Sequence, residues 1–146
     1  MQREIKFRAL DTIQLKYHYN VECGIDLGVW MSFGDVLRDN RFVVEQFTGL
    51  YDKNGKEIYE GDIVLHEIWH GGVENLMYET YLAKEGKTTN WKYPYLIVWE
   101  KGEFIIKQNF SDTYPESLPL RMVAGQQGPD NVEIIGNIHE NPELLK

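Results

Sequence analysis

The stretch His66-Glu67-Ile68-Trp69-His70 satisfies H-E-x-x-H, the spacing with which a helix offers two imidazoles to one zinc ion and a glutamate to its bound water. That chemistry requires a helix. On one, residues i and i+4 lie about 6 Å apart. On a strand, at about 3.3 Å per residue, they stand about 13 Å apart and cannot share an ion. Asp62 could cap such a helix and Gly71 could end it. The surrounding residues favour the strand. "DIVLHEIW" carries β-branched Ile63, Val64 and Ile68, it follows a turn at Gly61-Asp62, and a helix closed by Gly71-Gly72 would run for only about two turns. The longer zinc motif also fails, because Val73 stands where it needs glycine, and neither Glu85 nor Glu100 sits in a pattern that supports a third ligand. His66 and His70 read as surface or rim residues of a strand, and His18 and His139 as isolated surface histidines.

Other catalytic patterns are missing from the sequence. Ser32, Ser111 and Ser117 lie in no G-x-S-x-G context, and neither a P-loop nor G-x-G-x-x-G occurs. "DKNGKEIYEGD" imitates a calcium loop from Asp52, but Lys56 occupies the fifth position and Glu57 the position of the obligatory glycine. Cys23 is the single cysteine, so no intramolecular disulfide can form, which fits a reducing cytoplasm; it reads as a small buried or half-buried apolar side chain. No cofactor or metal is expected, and no enzymatic activity.

The elements that would position any site are short. A chain of 146 residues with 42% hydrophobic and 13% aromatic side chains can bury a core, and its length suits one domain. No apolar run approaches the roughly 18 residues of a membrane span, and "MQREIKFRAL" lacks the apolar region of a secretory signal. The net charge of −8 comes from 23 acidic and 15 basic residues; the densest basic cluster, Arg3, Lys6 and Arg8, is shared with Glu4. That balance suits solubility and argues against a phosphate-binding surface.

"REIKFRALD" (3–11) alternates, with Ile5, Phe7 and Ala9 on one face and Glu4, Lys6 and Arg8 on the other, as in a half-buried strand. Residues 15–22 and 41–50 read as further strands, 23–30 as a loop, and 31–40 as a helical turn capped by Ser32 with Val36 and Leu37 inward. Asn54-Gly55 predicts a type I′ hairpin turn within 50–65, followed by a strand from Ile63 to about Trp69. Residues 73–87 fit either a helix or a hairpin insertion. Strands are expected at 93–100, 103–108 and 132–138, with a tight turn at 101–102, an irregular excursion over 111–122 and a glycine-rich loop at 125–131. The tail offers Asn141 as cap, Pro142 at the first helical position, and Leu144 and Leu145 for docking. Short strands with frequent turns make the fold mainly β, rolled or closed rather than flat.

Three of these segments together resemble the YopX-like family of phage and prophage proteins: "REIKFRALD" at the start, with Leu10 where the family typically has Trp; "QFTGLYDKNGKEIYEGDIV" (46–64) in the middle; and "VEIIGNIHENPELL" (132–145) at the end. The resemblance implies a small rolled sheet of the SH3-like barrel type at 46–146 with a variable insertion at about 73–93, an N-terminal β appendage at 1–45, and homo-oligomers. It places residues 62–69 in a strand and carries no catalytic residues.

The expected function is a non-enzymatic, phage-derived accessory module in the cytoplasm of an infected or lysogenic host. It would bind itself and a host or phage protein. Trp30, Trp69, Trp91 and Tyr114 are candidate anchors, since Trp and Tyr are enriched in interface hot spots, although such aromatics are more often core. A competing reading is a single-stranded nucleic-acid-binding barrel, which would use aromatic platforms among the four tryptophans and nine tyrosines; the acidic balance counts against it. A zinc hydrolase at His66 and His70 comes last. The N-terminal strand is expected to be an edge that a second copy could cover.

Overall fold

The computed structural model describes residues 4–68, 91–107, 117–120 and 132–145. It is mainly β, with a curled half-barrel sheet and one short α-helix among the described residues. Strands β1 (Phe7–Asp11), β2 (Lys16–Tyr19), β5 (Phe42–Tyr51) and β6 (Glu57–Tyr59) form an antiparallel sheet in the order β2-β1-β5-β6. A second antiparallel sheet runs β10-β9-β8-β7-β11, from β7 (Asp62–Ile68), β8 (Trp91–Glu100), β9 (Glu103–Lys107), β10 (Ser117–Pro119) and β11 (Val132–Asn137). Registers such as Ala9↔Val44, Val64↔Tyr95, Val64↔Ile134 and Val98↔Ile105 fix which residues share a face.

β1 lies between β2 and β5, so it is not the expected edge. Both of its faces are covered. Phe7 and Ala9 pack with Val21, Val36 and Phe42 beneath a lid made by the 3-10 turn Val21–Cys23, the small hairpin of β3 (Ile25–Asp26) and β4 (Trp30–Met31), and α1 (Phe33–Arg38). The lid explains why the expected loop at 23–30 contains paired strands. It also leaves Ile5, ahead of the strand, exposed. Ser32 caps α1, as read from sequence, and the structure adds a reciprocal bond to Asp35; Val36 is buried, but Leu37 faces solvent because a helix this short buries a single stripe. Cys23 is exposed at the end of its turn.

β5 belongs to both halves of the chain, and the expected division at 45/46 falls inside it. Its first part pairs with β1. Beyond Phe47 the register with β6 shifts, Gly49 takes φ 83°, and the Thr48 hydroxyl donates to Ile58 O and accepts from Leu50 N–H. The bulge bends the strand toward the second sheet, where the hairpin turn seats on β11: Lys53 N–H donates to Val132 O, and Ile134 N–H to the Asp52 carboxylate. A second core collects there, from Ile58, Val64, Tyr95, Ile97, Phe104, Ile106, Leu120 and Val132.

The turn at 53–55 differs from the expected type I′. Asp52 N–H donates to Lys56 O, Gly55 N–H to Asp52 O, and only Gly55 has positive φ, at 78°. This is a three-residue loop, a type I turn followed by a left-handed glycine. The buried Asp52 carboxylate selects it by accepting from Asn54 and Lys56 N–H. The type I′ geometry occurs instead between β8 and β9, at Lys101 (φ 54°) and Gly102 (φ 82°). Within the expected excursion at 111–122, residues 117–119 pair with β9 as β10. Pro142–Leu145 form a 3-10 turn with Leu144 and Leu145 half-buried.

Candidate functional site

His66 lies in β7, paired to Tyr93 on one side and Val132 on the other. A residue with ladder partners on both sides is not in a helical turn, so H-E-x-x-H has no helix at its start; His70 lies outside the described residues. His66 is also buried rather than on a rim, with its ring edge-on to Tyr95 at 5.9 Å between centroids. Among the described residues no group of three His, Cys, Asp or Glu side chains is placed to hold a metal.

Of the aromatic anchors, Trp30 sits on β4 and is 64% exposed, its indole lying against Gly24 where any Cβ would collide with the ring. Trp91 begins β8 in the other sheet, and Trp69 and Tyr114 lie outside the described residues. The described pair is therefore split between two sheets. The sequence reading missed three other exposed aromatics: Tyr19, Tyr51 and Trp99. Trp99 continues the face of Tyr95 and Ile97 but lies where the sheet outruns its cover. It walls an open cavity of ≈ 190 Å³ with Leu50, Phe104 and Leu120, the uncovered end of the second core. Alternation along β8 marks the face, and only the topology shows where the cover ends.

The densest polar constellation surrounds Arg8. Its Nε donates to Glu45 Oε2 at 2.7 Å and its Nη2 to Asp62 Oδ1 at 2.7 Å, and its guanidinium stacks between the rings of Tyr17 and Tyr59 at 4.6 and 4.7 Å. All three charges are buried. Asp62 also accepts from Tyr59 N–H, and Glu45 Oε1 receives Tyr17 Oη at 3.3 Å and His139 Nε2 at 3.1 Å. Gly61, at φ 86°, packs so closely that a Cβ would stand 2.8 Å from Glu45 Oε1. Burial pushes both carboxyls above their ordinary values despite Arg8, because two acids share one guanidinium. Burial works against the Arg8 charge, but Asp62 and Glu45 hold its proton more tightly than usual. Tyr17 is pushed up by burial and by Glu45.

The arrangement joins β1, β2, β5, β6, β7 and the segment after β11. Beside it, Lys6 pairs with Glu57 and Glu4 over the Phe47 ring. Phe7 N–H donates to Glu22 across the lid. Asp11, fully buried, takes both Nε and Nη2 of Arg41 and two backbone N–H groups. Asn137 Oδ1 caps the chain by accepting from His139 and Glu140 N–H. His139 is at the surface as expected but has a carboxylate partner in Glu45, and His18 is half-buried with its Nε2 enclosed and unpartnered among the described residues, so it is not the surface histidine expected.

The three sequence blocks at 3–11, 46–64 and 132–145 meet at this cluster: Arg8 from the first, Gly61 and Asp62 from the second, Asn137 to Glu140 from the third. Ile138 N–H closes the junction on Gly61 O. No curated protein matches the chain. The crystal structure of protein EF1440 from Enterococcus faecalis is similar over 99% of this chain and 100% of that one, with a TM-score of 0.55 at 24% identity, a likeness of fold. The family model described as YopX protein matches residues 6–146, the whole span in which the three blocks converge, and the chain belongs to that family.

Proposed function

We propose that this protein is a phage- or prophage-derived accessory module that acts by binding protein, including further copies of itself, and not by catalysis. One observation carries the reading. Chemically capable residues of the first two blocks are consumed internally: Arg8 and Asp62 by each other and by Glu45, Asp11 by Arg41, and Asp52 by backbone N–H groups of its turn and of β11. Among the side chains that do face solvent are large aromatics, with Trp30, Tyr19, Tyr51 and Trp99 all more than 40% exposed. Large amphipathic side chains on a rigid β-scaffold are the usual anchors of protein interfaces. The cytoplasm of an infected or lysogenic host is the setting in which such a module would work.

Single-stranded nucleic acid is the weaker partner class. Lys6 and Arg8, which a basic groove would need, are paired with carboxylates inside the sheet. The test uses tagged protein recovered from a lysogenic host, with Trp30→Ala beside a variant in which 73–90 is replaced by a short Gly-Ser turn. A partner recovered by the parent and lost from both folded variants supports the reading. Capture that survives both changes removes these surfaces from it. Turnover of a substrate, abolished by Glu45→Gln without loss of fold, overturns it.

A further inference from the structure

We infer that the free edge of β2 is where a second copy of this chain docks, forming a two-fold dimer by antiparallel strand addition. The inference rests on the self-association reading above and assigns it a surface. Four strands terminate the two main sheets. β11 is covered, because the 52–56 turn takes Val132 O and Ile134 N–H. β6 is three residues long, carries Glu57, and has its Tyr59 N–H bound to Asp62. β10 contains Pro119, which has no N–H to offer. β2 remains, and among the described residues its backbone has no ladder partner other than β1. Every second residue of such an edge points its N–H and C=O outward.

Charge selects the occupant. The chain carries −8, so two copies repel over most of their surfaces. From Thr12 to Val21, however, there is no carboxylate, and Lys16 is the one formal charge. Two such edges can meet without opposing acids, and one two-fold register also keeps the two lysines apart. With His18 opposite its own copy, Lys16 faces Asn20 and Tyr17 faces Tyr19. The edge is also flanked by apolar side chains left in water: Ile13 is 73%, Leu15 76% and Tyr19 55% exposed. A ladder this short buries little area, so the dimer belongs to the weak, concentration-dependent class.

Sedimentation equilibrium across micromolar to high micromolar protein tests this on the full chain. The expected result is a mass rising from 17.1 kDa toward twice that value. Tyr19→Glu and Leu15→Glu, which replace the apolar flank of the edge with carboxylates and add to the negative charge each copy already carries, should each hold the protein at one chain mass at the same concentrations. Leu37→Glu, on exposed α1, should dimerise as the parent does. Melting curves establish that each variant is folded. A parent that stays monomeric overturns both the inference and the self-association reading. A parent that dimerises equally well as folded Tyr19→Glu and Leu15→Glu overturns the β2 assignment alone.

Discussion

Arg8→Met removes the guanidinium while keeping most of the stem that lies between Tyr17 and Tyr59. Glu45 and Asp62 are then left buried, 3% and 2% exposed, without their common cation. Removing one partner from a buried ionic group costs about 3–5 kcal/mol, set against a total stability of about 5–15 kcal/mol for a domain. The deficit should depend on pH in a specific sense. Both carboxyls already lie above their ordinary values through burial, and losing Arg8 raises them further. A raised folded-state pKa means that the folded form gains stability by taking up a proton. The variant is therefore least impaired at acid pH, and its deficit grows as pH rises through the folded-state values. Urea unfolding followed by tryptophan fluorescence from pH 5 to 8 measures this. Adding Glu45→Gln and Asp62→Asn to Arg8→Met should recover part of the loss at neutral pH, because no buried charge then remains. A loss below about 1 kcal/mol at pH 7, the range of an exposed pair, would refute the reasoning. A deficit that does not shrink on acidification would do the same.

The hairpin separates the two turn geometries: Gly55→Ala should cost about 1–2 kcal/mol because φ 78° is strained for any Cβ, whereas Asn54→Ala should be nearly silent in urea melts. Asn54→Pro should destabilise clearly, since it deletes the N–H bound to Asp52 and proline is disfavoured at the third position of a type I turn. Asp52→Ala should strip acceptors from Asn54, Lys56 and Ile134 and cost about 2 kcal/mol or more, with hydrogen exchange at the Ile134 amide accelerating most. Asp11→Asn should show the same sense of pH dependence as Arg8→Met but in a more acid window: Arg41 holds the Asp11 carboxyl well below its ordinary 3.8, so the stability it contributes is present above that value and is lost as pH falls toward the folded one. Parent and Asp11→Asn melting curves should therefore converge in acid and separate near neutrality. Purified protein should carry no zinc by elemental analysis; about one zinc per chain, lost on His70→Ala, would reopen the metal reading.

Local chemistry was easy to read where one residue decides a conformation. Ser32 announces the start of α1, and Asn54-Gly55 locates a turn to the residue. The turn type was not legible, because it is set by Asp52, a side chain whose acceptor role appears only once it is buried against β11. Alternation in "REIKFRALD" gave the strand but misjudged its charged face. A period of two distinguishes the faces without saying whether both are covered, and here 12–41 supply a lid for one face while Asp62 and Glu45 receive the other. The exposed aromatics of any interface are the least readable feature, because Tyr95 and Trp99 share a strand face and differ only in where neighbouring strands stop. His66 was misplaced at a rim for the same reason: its burial depends on flanking strands some 25 residues or more away along the chain.

The seating of the 52–56 turn on β11, with His139 reaching back to Glu45, has a consequence for synthesis on the ribosome. Strands β1, β2, β5 and β6 emerge early and can pair at once. Their turn nevertheless has nothing to sit on, and Glu45 lacks its histidine, until residues 132–139 have been translated and have cleared the exit tunnel. Folding is thus timed by the arrival of β11 and the residues just after it, as expected for a topology dominated by contacts distant in sequence. A ribosome that stops before Val132 releases a chain with an open sheet edge and an incomplete second core, the kind of surface that draws chaperones and proteases to an unfinished product.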